Sequence, residues 1–397
     1  MTRKLTIQNT SKKQYSNVIR LCAAGSGKTF DICRDALSVV NTSAQRKRVL
    51  ITTFTNNGVN TINEYIAILN RGMPSAAVDV YTWYHLLLAE IIKPYQTFIA
   101  GINEIKSFDF DNNCPIYKMS KGRKINLAAS GKKERYINRS SNVMSNYASE
   151  FAVCLNNEGS GMPVQRLADI YSHVYIDEIQ DMAGYDMDLI LLLMESGIIV
   201  TCVGDYKQAT YKTNAGSKNK KTSGKNIGVY CEMVSKSGLA SIKNNLTTRR
   251  FNKNICDFAN MLFPTGDDIC SDIEATDYEN GVFLIQCAYV DDYFKYYRPT
   301  VLKYDVNTPT NGLQSFNFGG CKGMTFDRVL IFPNGVLTDY VMKGKSLAAP
   351  EKYYVAVTRP RYSLAIVVEK LPTSTLFEPV TIPVTNGNIQ ALRFIGS

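Results

Sequence analysis

The sequence predicts an α/β protein with two parallel-sheet domains in tandem, and three observations support this prediction. Short apolar runs rich in valine and isoleucine alternate with segments of helical length, which is the pattern of parallel strands joined by helices. The runs fall into two groups, separated by residues 214–226, which are rich in glycine, serine, lysine and asparagine. The chain has 397 residues, enough for two or three domains, and 45% of them are hydrophobic, enough for buried cores.

The predicted strands define the domain boundaries. We assign residues 1–88 and 150–240 to a first domain and residues 241–397 to a second. Residues 89–149 break the alternation and are polar and basic, so we expect a small, mainly helical insertion in the first domain. The first group of strands comprises Val18–Ala23, Arg48–Phe54, Ala77–Tyr81, His173–Asp177 and Ile198–Gly204, and the second comprises Val282–Cys287, Val301–Tyr304, Arg328–Phe332 and Leu364–Val368.

The charge of the chain favours a polyanionic partner. The formal net charge is +10 at pH 7, from 45 lysines and arginines against 35 acidic residues. The excess is concentrated in residues 112–133 and 206–231, each with six basic residues and no acidic one. Basic side chains that neutralise phosphates give salt-sensitive, sequence-independent affinity for nucleic acid. Solvated loops explain each stretch equally well when it is taken alone.

Other features exclude several classes of protein. The ten cysteines include no C-x2-C pair, so neither a zinc knuckle nor a thioredoxin-type motif is indicated. Residues 1–16 are polar and lack the apolar core of a signal peptide. The longest apolar stretch, near Leu189, is interrupted by Glu195 and is shorter than the roughly 18 residues of a membrane span. We therefore expect a cytoplasmic protein that has no membrane partner.

A phosphate-binding loop is predicted between the first strand and the helix that follows it. The loop has the sequence Cys22-Ala23-Ala24-Gly25-Ser26-Gly27-Lys28-Thr29, with Cys22 where the strict pattern has glycine. Glycines let backbone N–H groups surround phosphates, and the helix N-terminus adds its dipole. Lys28 can reach the β- and γ-phosphates of ATP, and the Thr29 hydroxyl can ligate Mg²⁺. We expect the nucleotide to contact Ala23, Ala24, Gly25, Ser26, Gly27, Lys28, Thr29 and Phe30.

Two adjacent carboxylates follow another predicted strand, in the segment Asp177-Glu178-Ile179-Gln180-Asp181. At the end of a strand the chain is free to turn, so each carboxylate can have its own role. Asp177 can hold Mg²⁺ through water, and Glu178 can orient and deprotonate an attacking water. Two acids after a strand are often only a solvated loop. In a chain that also carries a phosphate loop, they indicate ATP hydrolysis.

These segments and several others, in the same order, resemble the motifs of superfamily-one helicases of the UvrD and Rep type. The matching segments span residues 22–361. The resemblance implies two tandem RecA-like P-loop NTPase domains, with ATP and Mg²⁺ as cofactors and single-stranded DNA as the partner. It also implies movement in the 3′ to 5′ direction. The residues alone do not separate DNA from RNA.

Two segments resemble the DNA-contacting motifs of this family. In Thr53-Phe54-Thr55-Asn56, Phe54 would stack on a base, and Thr55 and Asn56 would meet the phosphate backbone. In Thr82-Trp83-Tyr84-His85, the contacts would come from Thr82 and Trp83. Stacking of a base on an aromatic ring is worth about 1–3 kcal/mol and tolerates any sequence. A core position remains the alternative for both aromatic residues.

The segment from Gly204 to Tyr211 resembles the coupling motif of the family. The resemblance implies that Gln208 senses the γ-phosphate and that Tyr211 touches the nucleic-acid strand. Two residues after Tyr211 the family usually has tryptophan or phenylalanine, but here Thr213 occupies the position. One aromatic side chain that could stack on a base is therefore missing, or another residue supplies it.

Three segments of the second domain resemble the remaining motifs. In Thr248-Arg249-Arg250-Phe251, Arg250 would contact the γ-phosphate across the domain cleft, and Arg249 would stack on the adenine in place of a tyrosine. In the segment from Gly320 to Asp327, Gly323 would lie at the nucleotide. In the segment from Tyr353 to Arg361, Arg359 would be the second arginine finger. Positively charged side chains that reach the γ-phosphate when the cleft closes can stabilise the negative charge of the transition state.

The chain is shorter than the large members of the family. Arg250 and Lys322 are only 72 residues apart, too few for the strands of the second core plus a long inserted domain. We therefore expect little or no second accessory domain. We also expect a translocase that acts with a partner protein, such as a nuclease, in DNA repair or antiviral defence.

Two other functions are considered from the sequence. One is a nucleic-acid-binding regulatory subunit, in which ATP drives a switch without processive unwinding. The other is a phosphate-loop kinase. The kinase is disfavoured because Glu178, Gln208 and the arginines of the second domain suit attack by water across two domains.

Overall fold

Two large sheets, each packed against helices, form the two lobes of the protein. A computed structural model describes residues 17–42, 47–111, 117–126, 133–211, 213, 218–274 and 279–396. The first lobe contains a six-stranded sheet and the second a seven-stranded sheet. The predicted fold class, α/β with two tandem parallel-sheet domains, is confirmed.

The sheet of the first lobe is entirely parallel. Its central strands are rich in valine, isoleucine and leucine, because a parallel sheet is buried on both faces. All carboxyl ends of the strands lie at one edge of the sheet, where the predicted motifs begin. From one side to the other, the strands are Ser241–Asn245, Val18–Cys22 (β1), Ile199–Gly204, Tyr171–Ile176, Arg48–Thr53 (β2) and Val78–Thr82 (β3).

Helices cover both faces of this first sheet. On one face, α1 and α2 pack on Val49, Ile51 and Val203. The core on the other face is larger and includes Trp83. The helices of the first lobe are Lys28–Thr42 (α1), Asn56–Leu69 (α2), Trp83–Leu86 with its continuations Leu87–Ile92 and Lys93–Tyr95, Ala148–Glu158, Met162–Ile170, Asp186–Glu195 and Ile227–Lys236.

The sheet of the second lobe combines five parallel strands with a closing hairpin. The hairpin strands Gly387–Phe394 and Phe377–Val384 are antiparallel and extend one side of the sheet. The parallel strands, in spatial order, are Ser315–Asn317, Thr300–Lys303, Phe326–Phe332, Pro360–Val368 and Gly281–Gln286. The helices are Lys253–Leu262, Val290–Tyr297, Gly335–Lys343 and Pro350–Val357.

The insertion is more mixed than the mainly helical segment that we predicted. Helical turns at its two ends flank two small two-stranded sheets. One sheet pairs Phe108–Asp109 with Val143–Met144 in parallel, and the other is the antiparallel hairpin of Tyr117–Ser120 and Arg123–Asn126. The insertion is joined to the first lobe through the helix Ala148–Glu158, whose Phe151 is fully buried in the core.

The chain between the motif segments of Arg250 and Lys322 is short in the structure as well. Between Arg250 and Lys322, the described residues form the helices Lys253–Leu262 and Val290–Tyr297, the short strand Cys270–Ser271 and three strands of the second sheet. They form no additional domain. The edge strand Ser241–Asn245 belongs to the first sheet, because it pairs in parallel with β1. No helix in the described part of the chain is both long enough and apolar enough to span a bilayer.

Candidate nucleotide site and nucleic-acid interface

The phosphate loop joins the end of β1 to the start of α1. Its two glycines have left-handed backbone conformations, with φ of 74° at Gly25 and 88° at Gly27. Glycine adopts this conformation without a steric cost, whereas a side chain would be strained. The chain therefore turns sharply, and Lys28 becomes the first residue of the helix.

The second lobe lies directly against this loop. The backbone N–H of Arg249 donates to the carbonyl oxygen of Gly25 at 2.9 Å. A Cβ atom placed on Gly25 would lie 2.5 Å from the Cβ of Arg250, closer than real Cβ contacts. The buried Ala23 and Ala24 belong to the same apolar cluster as the core of the second lobe. Small residues in the loop therefore permit the close approach of the two lobes.

The two carboxylates meet the phosphate loop at the end of their strand. The Thr29 hydroxyl donates to Oδ2 of Asp177 at 2.8 Å. The ammonium of Lys28 lies 3.2 Å from Oε1 of Glu178. Because both strands end at the same edge of the parallel sheet, residues 148 or more positions apart come into contact.

Burial and charge–charge interactions together set the pKa values of these groups. Burial alone would raise the pKa of Glu178, but the ammonium groups of Lys28 and Lys322 outweigh burial and lower it to about 2. Burial and the negative charge of Glu178 raise the pKa of Asp177 to about 6. Burial would lower the pKa of Lys28, but the surrounding carboxylates, Glu178 first, raise it. Glu178 is therefore an ionised carboxylate at neutral pH.

The backbone of Glu178 is unusual for a residue that is not glycine. Its φ is 59°, in the left-handed region, where non-glycine residues are uncommon and are concentrated at functional sites. This conformation directs Asp177 and Glu178 to different positions after the strand Tyr171–Ile176. The two carboxylates therefore have different partners, the Thr29 hydroxyl for Asp177 and the Lys28 ammonium for Glu178.

Two arginines of the second lobe lie in the cleft, where Arg359 is buried and Arg250 is half-buried. Nη1 of Arg250 donates to the carbonyl oxygen of Thr358 at 3.1 Å, and Nη2 of Arg359 donates to Oε1 of Gln208 at 3.1 Å. Burial and the charge of Arg359 lower the pKa of Arg250 to about 9, and burial also lowers the pKa of Arg359. In the described part of the chain, neither guanidinium forms an ion pair with a carboxylate. Two cations that are largely withdrawn from solvent and have no carboxylate partner among the described residues suit an anionic ligand.

Gln208 is held from both lobes. Its Nε2 donates to Oδ2 of Asp205 at 2.8 Å, while its Oε1 accepts from Arg359. The structure therefore brings together all five predicted catalytic residues, which are Lys28, Glu178, Gln208, Arg250 and Arg359.

The remaining predicted nucleotide residues surround the phosphate loop less tightly. Phe30 packs edge-on against Tyr65 of α2, with ring centroids 5.4 Å apart. The Arg249 side chain is 62% exposed and lies 3.8 Å from Oδ1 of Asp31. Gly323, with φ of 84°, faces the first lobe from the other side of the cleft.

A cleft of about 440 Å³ runs between the lobes beside these residues. It connects the Thr29 and Asp177 end of the site to Phe54 and Tyr211, and Gly323 lies on its far wall. The predicted magnesium ligands and three predicted strand contacts, Phe54, Thr55 and Tyr211, therefore share one continuous space.

Five of the six predicted strand contacts, all except Tyr211, lie at the carboxyl ends of β2 and β3, and of these five Trp83 alone is buried. Thr55 and Thr82 are N-cap residues, whose hydroxyls accept from the backbone N–H groups of Gly58 at 3.0 Å and His85 at 3.1 Å. Asn56 is exposed at the first position of α2, and Phe54 is half-buried in the cleft wall. Phe54 and Thr55 line the cleft, whereas Asn56 is exposed and Thr82 is half-buried outside its lining.

Trp83 is the exception, and its prediction as a nucleic-acid contact is wrong. Its side chain is completely buried, and Nε1 donates to Oδ1 of Asp186 at 2.7 Å. The same carboxylate accepts bonds from the hydroxyls of Ser149 and Thr213. Trp83 therefore packs between the end of β3 and the helix Ala148–Glu158, because its ring is large and apolar and its N–H needs a buried acceptor.

Tyr211 connects the lobes at the mouth of the cleft. Its hydroxyl donates to the carbonyl oxygen of Gly319 at 2.7 Å, and 37% of its surface is exposed. Two residues later, Thr213 is buried in the Asp186 network, so this position carries no stacking wedge.

An ion pair that no sequence motif indicated crosses the cleft. The ammonium of Lys322 lies 2.7 Å from Oδ2 of Asp181, and both side chains are buried. A weak signal was present: the segment 177–181 contains three acids, and a buried cluster of this kind needs more than the one cation of Lys28.

The basic stretches contribute differently from what their composition suggests. Lys121 and Arg123 are exposed on the hairpin of the insertion. Lys207 is only 2% exposed and donates to the carbonyl oxygen of Asp267 at 2.7 Å, so it is not a surface contact for phosphates. Lys118, Lys124, Lys132 and Lys212 lie outside the residues whose side chains the structure describes.

The chain is similar to known proteins over most of its length. A family described as an AAA domain matches residues 5–214, more than half of the chain. No curated protein matches it. One similar solved structure is arterivirus nonstructural protein 10, a helicase in complex with DNA, at 14% sequence identity and a TM-score of 0.44. The match covers 92% of this chain and 63% of that protein, so the chain spans less than two thirds of its length.

Proposed function

The chain belongs to the AAA domain family, and on this premise we propose that it is an ATP-dependent DNA helicase or translocase of superfamily one, of the UvrD and Rep type. The observation that carries the proposal is the convergence of Lys28 and Glu178 from one lobe with Arg250 and Arg359 from the other. A nucleotide bound between two lobes can couple hydrolysis to their relative movement, which is what a motor on a strand requires.

The chemistry of the side chains fits ATP with Mg²⁺. Thr29 and Asp177 would hold the metal, since a hydroxyl and a carboxylate are the hard oxygen ligands that Mg²⁺ prefers. When bound, Mg²⁺ neutralises charge on the phosphates. The phosphates would lie on the loop from Ala23 to Phe30, and Arg249 and Gly323 would approach the rest of the nucleotide from the second lobe.

Hydrolysis requires a base, a positioned water and positive charge. Glu178 is ionised at neutral pH, so it can accept the proton of an attacking water. Gln208 would contact the γ-phosphate and sense its presence. Arg250 and Arg359 would stabilise the negative charge of the transition state, as arginine fingers do.

The nucleic-acid strand would lie along the carboxyl ends of β2 and β3. Phe54 and Tyr211 offer aromatic surfaces on the cleft, and bases of any identity can stack on such rings. Thr55, Asn56 and Thr82 offer hydroxyl and amide groups for phosphate oxygens. Single-stranded DNA is the proposed ligand, with RNA as the alternative, and the proposed direction is 3′ to 5′.

One observation favours translocation or switching over strand separation. Thr213 is buried and bonded to Asp186, so the position that would carry a wedge cannot stack on a base. We therefore propose that unwinding requires a partner protein such as a nuclease, in the cytoplasm and in DNA repair or antiviral defence. The second candidate is an ATP-switched nucleic-acid-binding regulatory subunit.

The ATPase rate of the purified protein, with and without single-stranded DNA, tests the proposal. A motor predicts stimulation by the strand, and a strand-displacement assay on a short tailed duplex then separates translocation from unwinding. A flat ATPase rate with intact strand binding would favour the regulatory subunit. Absence of both ATP hydrolysis and strand binding would reject both candidates.

A further inference from the structure

Lys322 forms a buried ion pair that spans the two lobes. Its Nζ lies 2.8 Å and 2.7 Å from the two carboxylate oxygens of Asp181 and 3.0 Å from the carbonyl oxygen of Gln208. The exposed fractions of the two charged side chains are 8% and 3%. Removing one partner of such a pair leaves the other charge buried without compensation. The ion pair therefore favours the arrangement of the two lobes in which Lys322 contacts Asp181.

The same ammonium is close to the catalytic carboxylate. It lies 3.9 Å from Oε2 of Glu178, whose other oxygen faces Lys28. Glu178 thus lies between one cation from its own lobe and one from the opposite lobe. If Lys322 moves with the second lobe, the electrostatic surroundings of Glu178 change with it.

The loop that carries Lys322 also contacts Tyr211, the proposed strand contact. The Tyr211 hydroxyl donates to Gly319 at 2.7 Å, three residues before Lys322. The Lys322 ammonium lies 5.4 Å from the centroid of the Tyr211 ring, within the range of a cation–π interaction. A base that stacks on this ring would therefore disturb the surroundings of Lys322 directly.

From these contacts we infer that Lys322 is a positioning residue, which relays occupancy of the Tyr211 surface by a nucleic-acid strand to Glu178 through Asp181. The inference rests on the proposed function. It goes further by assigning the stimulation of ATP hydrolysis to one cross-lobe ion pair, with the loop Gly319–Gly323 as the part that responds.

The test compares ATPase kinetics of Lys322→Met with the matched control Lys352→Met. Lys352 also belongs to the second lobe and lies over a tyrosine ring, 4.8 Å from the centroid of Tyr304, but it is exposed. We expect Lys322→Met to reduce the stimulation of kcat by single-stranded DNA about 5–150-fold, the usual size of coupling between two sites. The KM for ATP and the Kd for the strand should stay near those of the parent, and the control should behave like the parent.

Two further variants distinguish a relay from a merely structural contact. Lys322→Arg keeps the cation and should retain most of the stimulation. In a double-mutant cycle, Lys322→Met combined with Asp181→Asn should lose no more stimulation than Lys322→Met alone, because both changes break the same pair. If Lys322→Met does not fold, Tyr211→Phe removes only a hydroxyl from a partly exposed residue, and it should also reduce the stimulation.

The outcomes separate this inference from the proposed function. A parent ATPase that ignores single strands would overturn both. If single strands stimulate the parent, and stimulate Lys322→Met and Tyr211→Phe as strongly as Lys352→Met, only the relay would be overturned. A loss of strand affinity that accounts for the whole effect would also overturn it, because Lys322 would then be a binding residue.

Discussion

Arg359 of the second lobe donates a hydrogen bond from Nη2 to the side-chain oxygen of Gln208 in the first lobe, at 3.1 Å. The rest of the guanidinium is held by the carbonyl oxygens of Val355 at 2.7 Å and Met324 at 3.1 Å. Both ends of the contact are buried, so an arginine and a glutamine from different lobes keep a defined relative position.

This contact predicts that Arg359→Lys abolishes most of the ATPase activity. Lysine cannot reproduce the planar set of donors, and loss of an arginine finger costs about 10³–10⁵-fold in kcat. The measurement is the steady-state ATPase rate, with nucleotide affinity measured separately. Arg361→Lys is the control, since Arg361 is exposed and pairs with Asp327 on the surface. Equal rates for the two variants would count against a catalytic role for Arg359.

Two variants of the first lobe should both stop turnover, for different reasons. Glu178→Gln removes the base and should reduce kcat about 10²–10⁴-fold while nucleotide still binds. Lys28→Ala removes the ammonium beside Glu178 and should weaken nucleotide binding as well. Nucleotide affinity and single-turnover hydrolysis distinguish the two. Normal hydrolysis in either variant would reject the site.

Gly25→Ala should separate the lobes at the phosphate loop. The new methyl group would lie 2.5 Å from the Cβ of Arg250, and the backbone φ of 74° is unfavourable for alanine. Gly197→Ala is the matched control, because Gly197 has a φ of 94° and open space around it. Both should lose about 1 kcal/mol or more of unfolding free energy through backbone strain. Only Gly25→Ala should also lose ATPase activity.

Trp83→Phe should destabilise the protein without changing its affinity for nucleic acid. The change removes one of the donors to Asp186, and a hydrogen bond contributes about 0.5–1.5 kcal/mol net. Urea unfolding measures the stability, and fluorescence anisotropy with a labelled strand measures the affinity. Phe54→Ala should give the reverse pattern, with about 1–3 kcal/mol lost from strand binding. A large loss of strand affinity in Trp83→Phe would contradict the buried position of Trp83.

The stability of the first lobe should fall in mild acid because of His173. Burial lowers the pKa of His173 below its ordinary value of 6.5. The unfolded chain therefore binds this proton at a higher pH than the folded protein does, and stability rises with pH in that window. The contribution is fully present above pH 6.5 and is lost as the pH falls through the folded-state pKa. Unfolding free energies in urea, measured over this range, should depend less steeply on pH in His173→Gln than in the parent.

The sequence predicts the buried parallel strands well, since their requirements are local. All nine predicted strands occur within a few residues of their expected positions, because a strand covered on both faces must be a continuous apolar run. The motif residues at their carboxyl ends follow from the same geometry. The strand Ser241–Asn245 was missed, because it is an edge strand of polar, largely exposed residues.

Contacts that depend on the meeting of two lobes could not be predicted from the sequence. Nothing local to Lys322 indicates that Asp181 is its partner, and nothing local to Trp83 indicates that its ring points into the core. The motif identifies a residue, but the direction of its side chain depends on packing with segments far away in the chain. For Trp83 the decisive partner was Asp186, a buried carboxylate with no signal of its own.

The hairpin of Phe377–Val384 and Gly387–Phe394 has a consequence for the behaviour of the protein at high concentration. Its outer strand contains Pro379 and Pro383, which have no N–H to offer to an incoming strand. The opposite border of that sheet is the strand Ser315–Asn317, only three residues long. Short or proline-bearing borders discourage edge-to-edge aggregation. The second lobe should therefore resist polymerisation through its sheet even when many copies crowd along one nucleic-acid strand.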